Sequence, residues 1–127
     1  MSLLQYTDSL IGKVTGGAIC GFDGSIWSAT PGFYGDSSEF RKFIDSFNPR
    51  SPISYNGLRF QNENYVITSI TDQKLIAQKS SSHVICIKCP KCYVIGYHDE
   101  LIPPDICYNA LDILAQALST SPLVDEL

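Results

Sequence analysis

From Gly57 onward the chain breaks into short β-type runs: Leu58 to Gln61, Tyr65 to Ile70, Lys74 to Lys79, Val84 to Lys88 and Tyr93 to Tyr97. The breaks between them, "QNEN", "TDQ", "SSS" and "CPK", are a few polar or turn-forming residues each. A connection that short cannot hold a crossover helix, which needs about a dozen residues or more, so neighbouring runs must pair antiparallel. An antiparallel meander is the frame into which the rest of the chain has to fit.

Two further runs stand nearer the N-terminus. Ala18 to Phe22 and Ser25 to Ala29 meet at Asp23-Gly24 within "ICGFDGSIWSA", which carries the only tryptophan, Trp27. Asp-Gly between apolar runs predicts a tight hairpin with both central residues at positive φ. Helical signals flank these strands. Ser2 and Gln5 fit a capping box, and Leu3, Leu4, Tyr6, Leu10 and Ile11 keep helical spacing over residues 2–12. Asp36 to Ser38 offer N-caps for a second helix with Phe40, Phe43, Ile44 and Phe47 on one side, closed by Pro49 and Pro52. Pro103-Pro104 opens a last helix whose stripe is Ile106, Ala110, Leu111, Leu114, Ala117 and Leu118, ending near Ser119. The expectation is an α+β fold, a single antiparallel sheet with helices packed on its faces, forming one domain over residues 1–127.

At 127 residues and 44% apolar composition, the chain can bury a core without staples. Its formal charge of -4 excludes the broad basic face that nonspecific nucleic-acid binding needs. No Lys or Arg follows Lys91, so the last third is acidic, while Lys74, Lys79, Lys88 and Lys91 could make a local basic patch or a solvated strand face. No apolar run reaches the length of a membrane span and no secretory signal opens the chain, so a cytosolic protein is expected; nothing in the sequence calls for more than a monomer or for a cofactor. Five cysteines, an odd number, point to reduced thiols.

Enzyme chemistry finds little support. His83 and His98 lie near no nucleophile motif, and no G-x-S-x-G, Walker loop or dinucleotide fingerprint is present. The tempting arrangement is "CIKCPKC", in which Cys86, Cys89 and Cys92 are spaced by three and Cys89-Pro90-Lys91-Cys92 is a C-x-x-C. That spacing suits a zinc knuckle or a redox pair. Zinc would need a fourth ligand from Cys20, Cys107 or His83, and a redox motif normally opens a helix instead of turning between strands. Ordinary buried thiols are the plainer reading, and a small metal- or redox-active domain is the alternative.

Taken together, the N-terminal helix with Tyr6, the "GFDGSIWSA" hairpin, the short antiparallel strands, the phrase "VIGYHDELIPPD" and the C-terminal helix resemble the profilin family, with "KSSSHVICIK" aligning to amoeba-type members. The resemblance runs nearly end to end. It implies a sheet with the terminal helices on one face and a further helix on the other, and a non-enzymatic protein of the cytoplasm and cytoskeleton that binds monomeric actin and regulates filament assembly and nucleotide exchange. It also implies a groove for proline-rich proteins such as formins. There Tyr6 and Trp27 match family positions, whereas Leu3, Ala117 and Leu123 stand where the family usually carries rings. Tyr108 or Phe33 are candidates to compensate. Tyr55, Ile67, Thr68, Lys79, Lys88 and Asn109 fall on the implied actin-binding face, but Asn64, Ser69 and Asp105 replace basic positions there. Phosphoinositide binding through overlapping lysines is the last implication. A profilin fold that has lost one of its two binding faces is the variant reading.

Overall fold

The computed structural model describes residues 3–31, 33, 58–60, 63–71 and 73–120. The expected helix over Phe40 to Phe47 lies outside the described residues, and with it the helix expected on the far face. The described elements are α1 (Leu3–Asp8), β1 (Gly16–Cys20), β2 (Ile26–Ala29), β3 (Leu58–Phe60), β4 (Glu63–Ile70), β5 (Lys74–Lys79), β6 (Ser82–Lys88), β7 (Tyr93–His98) and α2 (Pro104–Thr120). Among them, no helix is long and apolar enough to cross a membrane.

All strand pairings are antiparallel, and the spatial order is β2-β1-β7-β6-β5-β4-β3. Strands β3 to β7 form the meander that the short connections dictate. The β1–β2 hairpin then adds to its free edge through Gly16↔Tyr97 to Cys20↔Tyr93, so the first and last described strands pair, one strand in from the β2 edge. Six strands run as one sheet, and β3 extends it beyond β4.

Side-chain alternation divides the interior in two. On one side Ile19, Ile85, Ile87 and Val94 pack with Leu10 and Val14 and with Cys107, Leu111, Leu114 and Leu118 of α2. On the other, Ala18, Cys20, Leu75, Ala77, Val84, Cys86, Tyr93 and Ile95 form a second cluster with Phe33 and Tyr65. Residues pointing alternately into two buried layers explain why β6 and β7 read as nearly continuous apolar runs.

The hairpin departs from its expected form. Gly24 alone takes positive φ, at 91°, and Asp23 does not. The Gly24 N–H donates to the Gly21 carbonyl at 3.0 Å and the Gly21 N–H to the Ser25 carbonyl at 2.8 Å. The loop is therefore three residues, Phe22 to Gly24, a type I turn followed by a left-handed glycine. Asp23 Oδ1 accepts from Ser25 N–H at 3.0 Å and Ser25 Oγ at 2.7 Å, which holds the Asp in place without positive φ. Helix α1 is also shorter than residues 2–12. Ser9 Oγ donates to the Tyr6 carbonyl at 2.6 Å, occupying an acceptor the helix would need, and the chain leaves in tight turns to Gly12 at φ 85°.

Helix α2 begins as proline chemistry predicts, with Pro104 in its first turn and Asp105 near its positive end. Its contact with β7 depends on Gly96, where a Cβ would lie 2.5 Å from Leu111 Cδ2 and 2.6 Å from Cδ1. A Gly96→Ala substitution must push Leu111 or the whole helix away from the sheet. Overpacking of this kind typically costs about 1–3 kcal/mol, and the loss should appear in chemical denaturation. An unchanged midpoint would show that the helix can retreat freely.

Candidate functional site

One side of the molecule gathers the aromatic residues expected in a groove. Thr7 in α1 is buried, and its Oγ1 lies 2.8 Å from Ser28 Oγ in β2, fastening helix to strand. Beside this contact Tyr6 and Trp27 are half-buried and pack against the first core cluster, to which α2 also contributes. The Trp27 indole covers the hairpin turn, since a Cβ on Gly21 would fall 3.0 Å from its Nε1. Ala117 is half-buried on α2. The Leu3 side chain and Leu123 lie outside the described residues. Phe33 belongs to the second cluster, and Tyr108 sits edge-on to the two histidines, so neither replaces a ring beside Tyr6 and Trp27.

The second surface lies on the α2 side of β4 and β5. Lys74, Ile76 and Gln78 point to this side of β5, and Lys74 Nζ reaches Asp112 of α2 at 2.8 Å. Val66 pairs with Gln78 and shares that side, 68% exposed, and Ile113 next to Asp112 is 67% exposed. Asn109, one helical turn before, is exposed, as is Thr68, whose Oγ1 donates to the Ile76 carbonyl at 3.2 Å. On the strands, exposed Val66 and half-buried Ile76 thus lie beside polar Gln78, Thr68 and Lys74.

Other residues expected on this surface are elsewhere. Ile67 turns away, partly buried against the second cluster, because the strand's period of two sends it to the face opposite Val66. Tyr55 lies outside the described residues. Lys79 closes β5, paired with Ser82 across the turn, whereas the Lys88 N–H donates to the Gln73 carbonyl at 2.7 Å at the strand's other end. Six residues of strand separate those levels, about 20 Å. The two lysines also have different companions: Lys79 is ion-paired to Glu63, and Lys88 stands 5.9 Å from the centre of the Phe22 ring. With Lys74 held by Asp112, the lysines do not make one basic patch.

Cysteine spacing likewise misleads about zinc. Cys86 is in the second cluster and Cys89 and Cys92 in the first, so the triplet is split across the sheet. Among the described residues no three His, Cys, Asp or Glu side chains group as metal ligands.

Strand register assembles one feature that inspection of single residues overlooks. His83 and His98 face each other across β6–β7, with rings stacked at 4.8 Å and Nδ1 of His83 2.9 Å from Nε2 of His98. His98 Nδ1 lies 2.9 Å from the Asp99 carbonyl and must donate to it, which leaves Nε2 to accept from His83. Tyr108 meets both rings edge-on. Burial, then the neighbouring His98, lowers the pKa of His83 below its ordinary 6.5. The unfolded chain therefore takes up this proton more readily, so the stability contribution is full above about pH 6.5 and is lost as pH falls through that value toward the folded pKa. Thermal midpoints of wild type and His83→Gln between about pH 8 and pH 5 should diverge on that flank. Parallel curves would refute the linkage.

The family model described as Profilin matches residues 1–123. Profilin-1A of Acanthamoeba castellanii is 31% identical over 121 residues, covering 93% of this chain and 96% of the relative. Bombyx mori profilin is 29% identical, covering 94% and 98%. Among solved structures, profilin IA of Acanthamoeba castellanii superposes with a TM-score of 0.85 at 30% identity, covering 93% of this chain and 97% of that one. LokiProfilin1 in its complex with rabbit actin superposes with a TM-score of 0.68 at 24% identity, covering 88% and 89%.

Proposed function

Because the chain belongs to the profilin family, whose members are actin-binding regulators and not enzymes, we propose that it binds monomeric actin in the cytoplasm and regulates filament assembly and actin nucleotide exchange. The observation that carries this reading is the strand surface of exposed Val66 beside half-buried Ile76, with Lys74 and Thr68 at its margin; the reading assigns the exposed Ile113 and Asn109 of α2 to the same interface. An apolar centre with a polar rim is the anatomy of a specific protein interface. Residues 1–127 act as one domain in this role. Actin is acidic, so Lys79 and Lys88, at the two ends of the β5–β6 pair, steer the encounter without supplying its centre. Exchange is promoted if the open and closed conformations of actin are bound with different affinity.

The groove side is proposed as a weak site for proline-rich ligands. Such binding is typical of profilins, as is phosphoinositide binding. A preformed polyproline helix loses little entropy when it docks on flat rings, and Tyr6 and Trp27 supply two of them. Phosphoinositide headgroups find only separated lysines, two of them already ion-paired, so this activity is the weakest of the three.

Titration of fluorescently labelled monomeric actin with the wild-type chain tests the main reading. Saturation at one chain per actin supports it; no complex at concentrations where a profilin control saturates overturns it.

A further inference from the structure

The Cys89-Pro90-Lys91-Cys92 turn has a use that neither binding surface requires. Cys89 to Cys92 connect β6 to β7 with Pro90 and Lys91 at the tip, and the Cys89 N–H donates to the Cys92 carbonyl at 2.8 Å. The cysteines are therefore directly opposed. A hydrogen-bonded antiparallel pair has its Cα atoms about 5.5 Å apart, within the range a disulfide spans. Both side chains enter the first core cluster, so both thiols are on the same side of the turn.

Access and environment differ between them. Cys89, 4% exposed, borders an open groove of about 1130 Å³ with Phe22, Lys88, Pro90, Gln116 and Ser119, whereas Cys92 has no exposure and is not part of the groove wall. Cys89 Sγ lies 3.9 Å from the Ala115 carbonyl of α2, which also accepts from Ser119 Oγ at 2.8 Å. The Cys92 thiol, opposed by burial and helped by Ser119, holds the Cys89 thiol below its ordinary pKa. Cys92 goes the other way, raised by the same hydrogen bond and by burial. Cys20 and Cys86 have no exposure and are raised by burial, Cys20 to about 12. Of these thiols Cys89 alone has both a route to solvent and a favoured thiolate, the reactive form.

We propose that Cys89 and Cys92 form a reversible oxidation site, with Cys89 as the peroxide-reactive thiol and Cys92 as its buried resolving partner. The Cys89 thiolate attacks one oxygen of hydrogen peroxide, the O–O bond breaks, and hydroxide leaves to take up the thiol proton as water. Cys89 is then a sulfenic acid. Cys92 sulfur attacks the Cys89 sulfur, the S–O bond breaks, and the Cys92 proton leaves with the hydroxyl as a second water. Two thiols and one peroxide give one disulfide and two waters, and a dithiol reductant reverses the bond by exchange. Because the resolving step is intramolecular, Cys92 needs no solvent access. The disulfide removes the Cys89 donor from the Ala115 carbonyl, so oxidation is felt directly by the last turns of α2.

The test uses the whole wild-type chain, treated with limiting hydrogen peroxide, alkylated under denaturing conditions and mapped by mass spectrometry. The expected result is a fall from five alkylated thiols to three, with a Cys89–Cys92 linkage that dithiothreitol reverses. In Cys92→Ala the reaction should stop at a dimedone-trappable sulfenic acid on Cys89, and that trapping should be lost in Cys89→Ala. Retention of all five thiols, or a first linkage between any other pair, overturns the assignment. The readout involves no actin, so its failure is separate from failure of the proposed function.

Discussion

Replacing Val66 and Ile113 together with Asp is expected to abolish measurable binding of monomeric actin. Both side chains are already about two-thirds exposed, at 68% and 67%, so neither change removes core packing and the fold should survive. Truncating or charging the desolvated centre of an interface commonly costs about 2 kcal/mol or more per anchor, and tenfold in affinity is about 1.4 kcal/mol. Two such anchors correspond to a loss of several hundredfold or more. Charge reversal of Lys79 and Lys88 to Glu should behave differently. They sit at the rim and well apart, and Lys79 already has Glu63 beside it, so the expected effect is a slower, salt-sensitive association, with dissociation little changed. Stopped-flow association at two ionic strengths separates the cases. A double Asp variant that binds like wild type, or a Lys pair whose loss abolishes binding at high salt, would move the interface elsewhere.

The fold was readable from sequence because its decisive signals are local. Turn lengths in "TDQ", "SSS" and "CPK" dictate the meander, and the spacing from Ile106 to Leu118 dictates α2. At Asp23-Gly24 the signature fixes where the hairpin turns but not its loop length, since a two-residue and a three-residue loop share it and differ only in which residue must be left-handed. Site residues were less legible. Ile67 and Val66 are both apolar and adjacent, and only the pairing register decides which of them faces out. The separation of Lys79 from Lys88 and the meeting of His83 with His98 follow from the same arithmetic. Once Pro90 and Lys91 are taken as the turn, Cys89 opposes Cys92, and six residues further from the turn His83 opposes His98. That signal was present in the sequence and needed only the register to be carried through. The pairing of Lys74 with Asp112 has no such local sign, because it depends on where α2 crosses the sheet.

Oligoproline should quench or shift the fluorescence of Trp27 only weakly in the wild-type chain, and an added ring at position 117 should strengthen the response. Trp27 is the sole tryptophan, so the signal has one source. Its indole and Tyr6 pack against the first cluster, and Ala117, half-buried on α2, offers a methyl group where the family resemblance expects a ring. Aromatic contacts contribute about 0.5–1.5 kcal/mol beyond their buried area, so a single restored ring is worth roughly tenfold in affinity once its area is included. Ala117→Tyr adds that ring and a hydroxyl donor for a proline carbonyl while leaving Trp27 the only tryptophan. Trp27→Phe supplies the complementary loss, keeping most of the packing over Gly21 but removing the indole N–H; as it leaves no tryptophan, its oligoproline binding is read by calorimetry beside the wild-type chain. If Ala117→Tyr tightens oligoproline binding and Trp27→Phe weakens it, Trp27 is a docking surface. If neither variant changes the titration while both remain folded, the indole serves only to seal α1 and the hairpin onto the sheet, and the actin surface is the one binding face this chain retains.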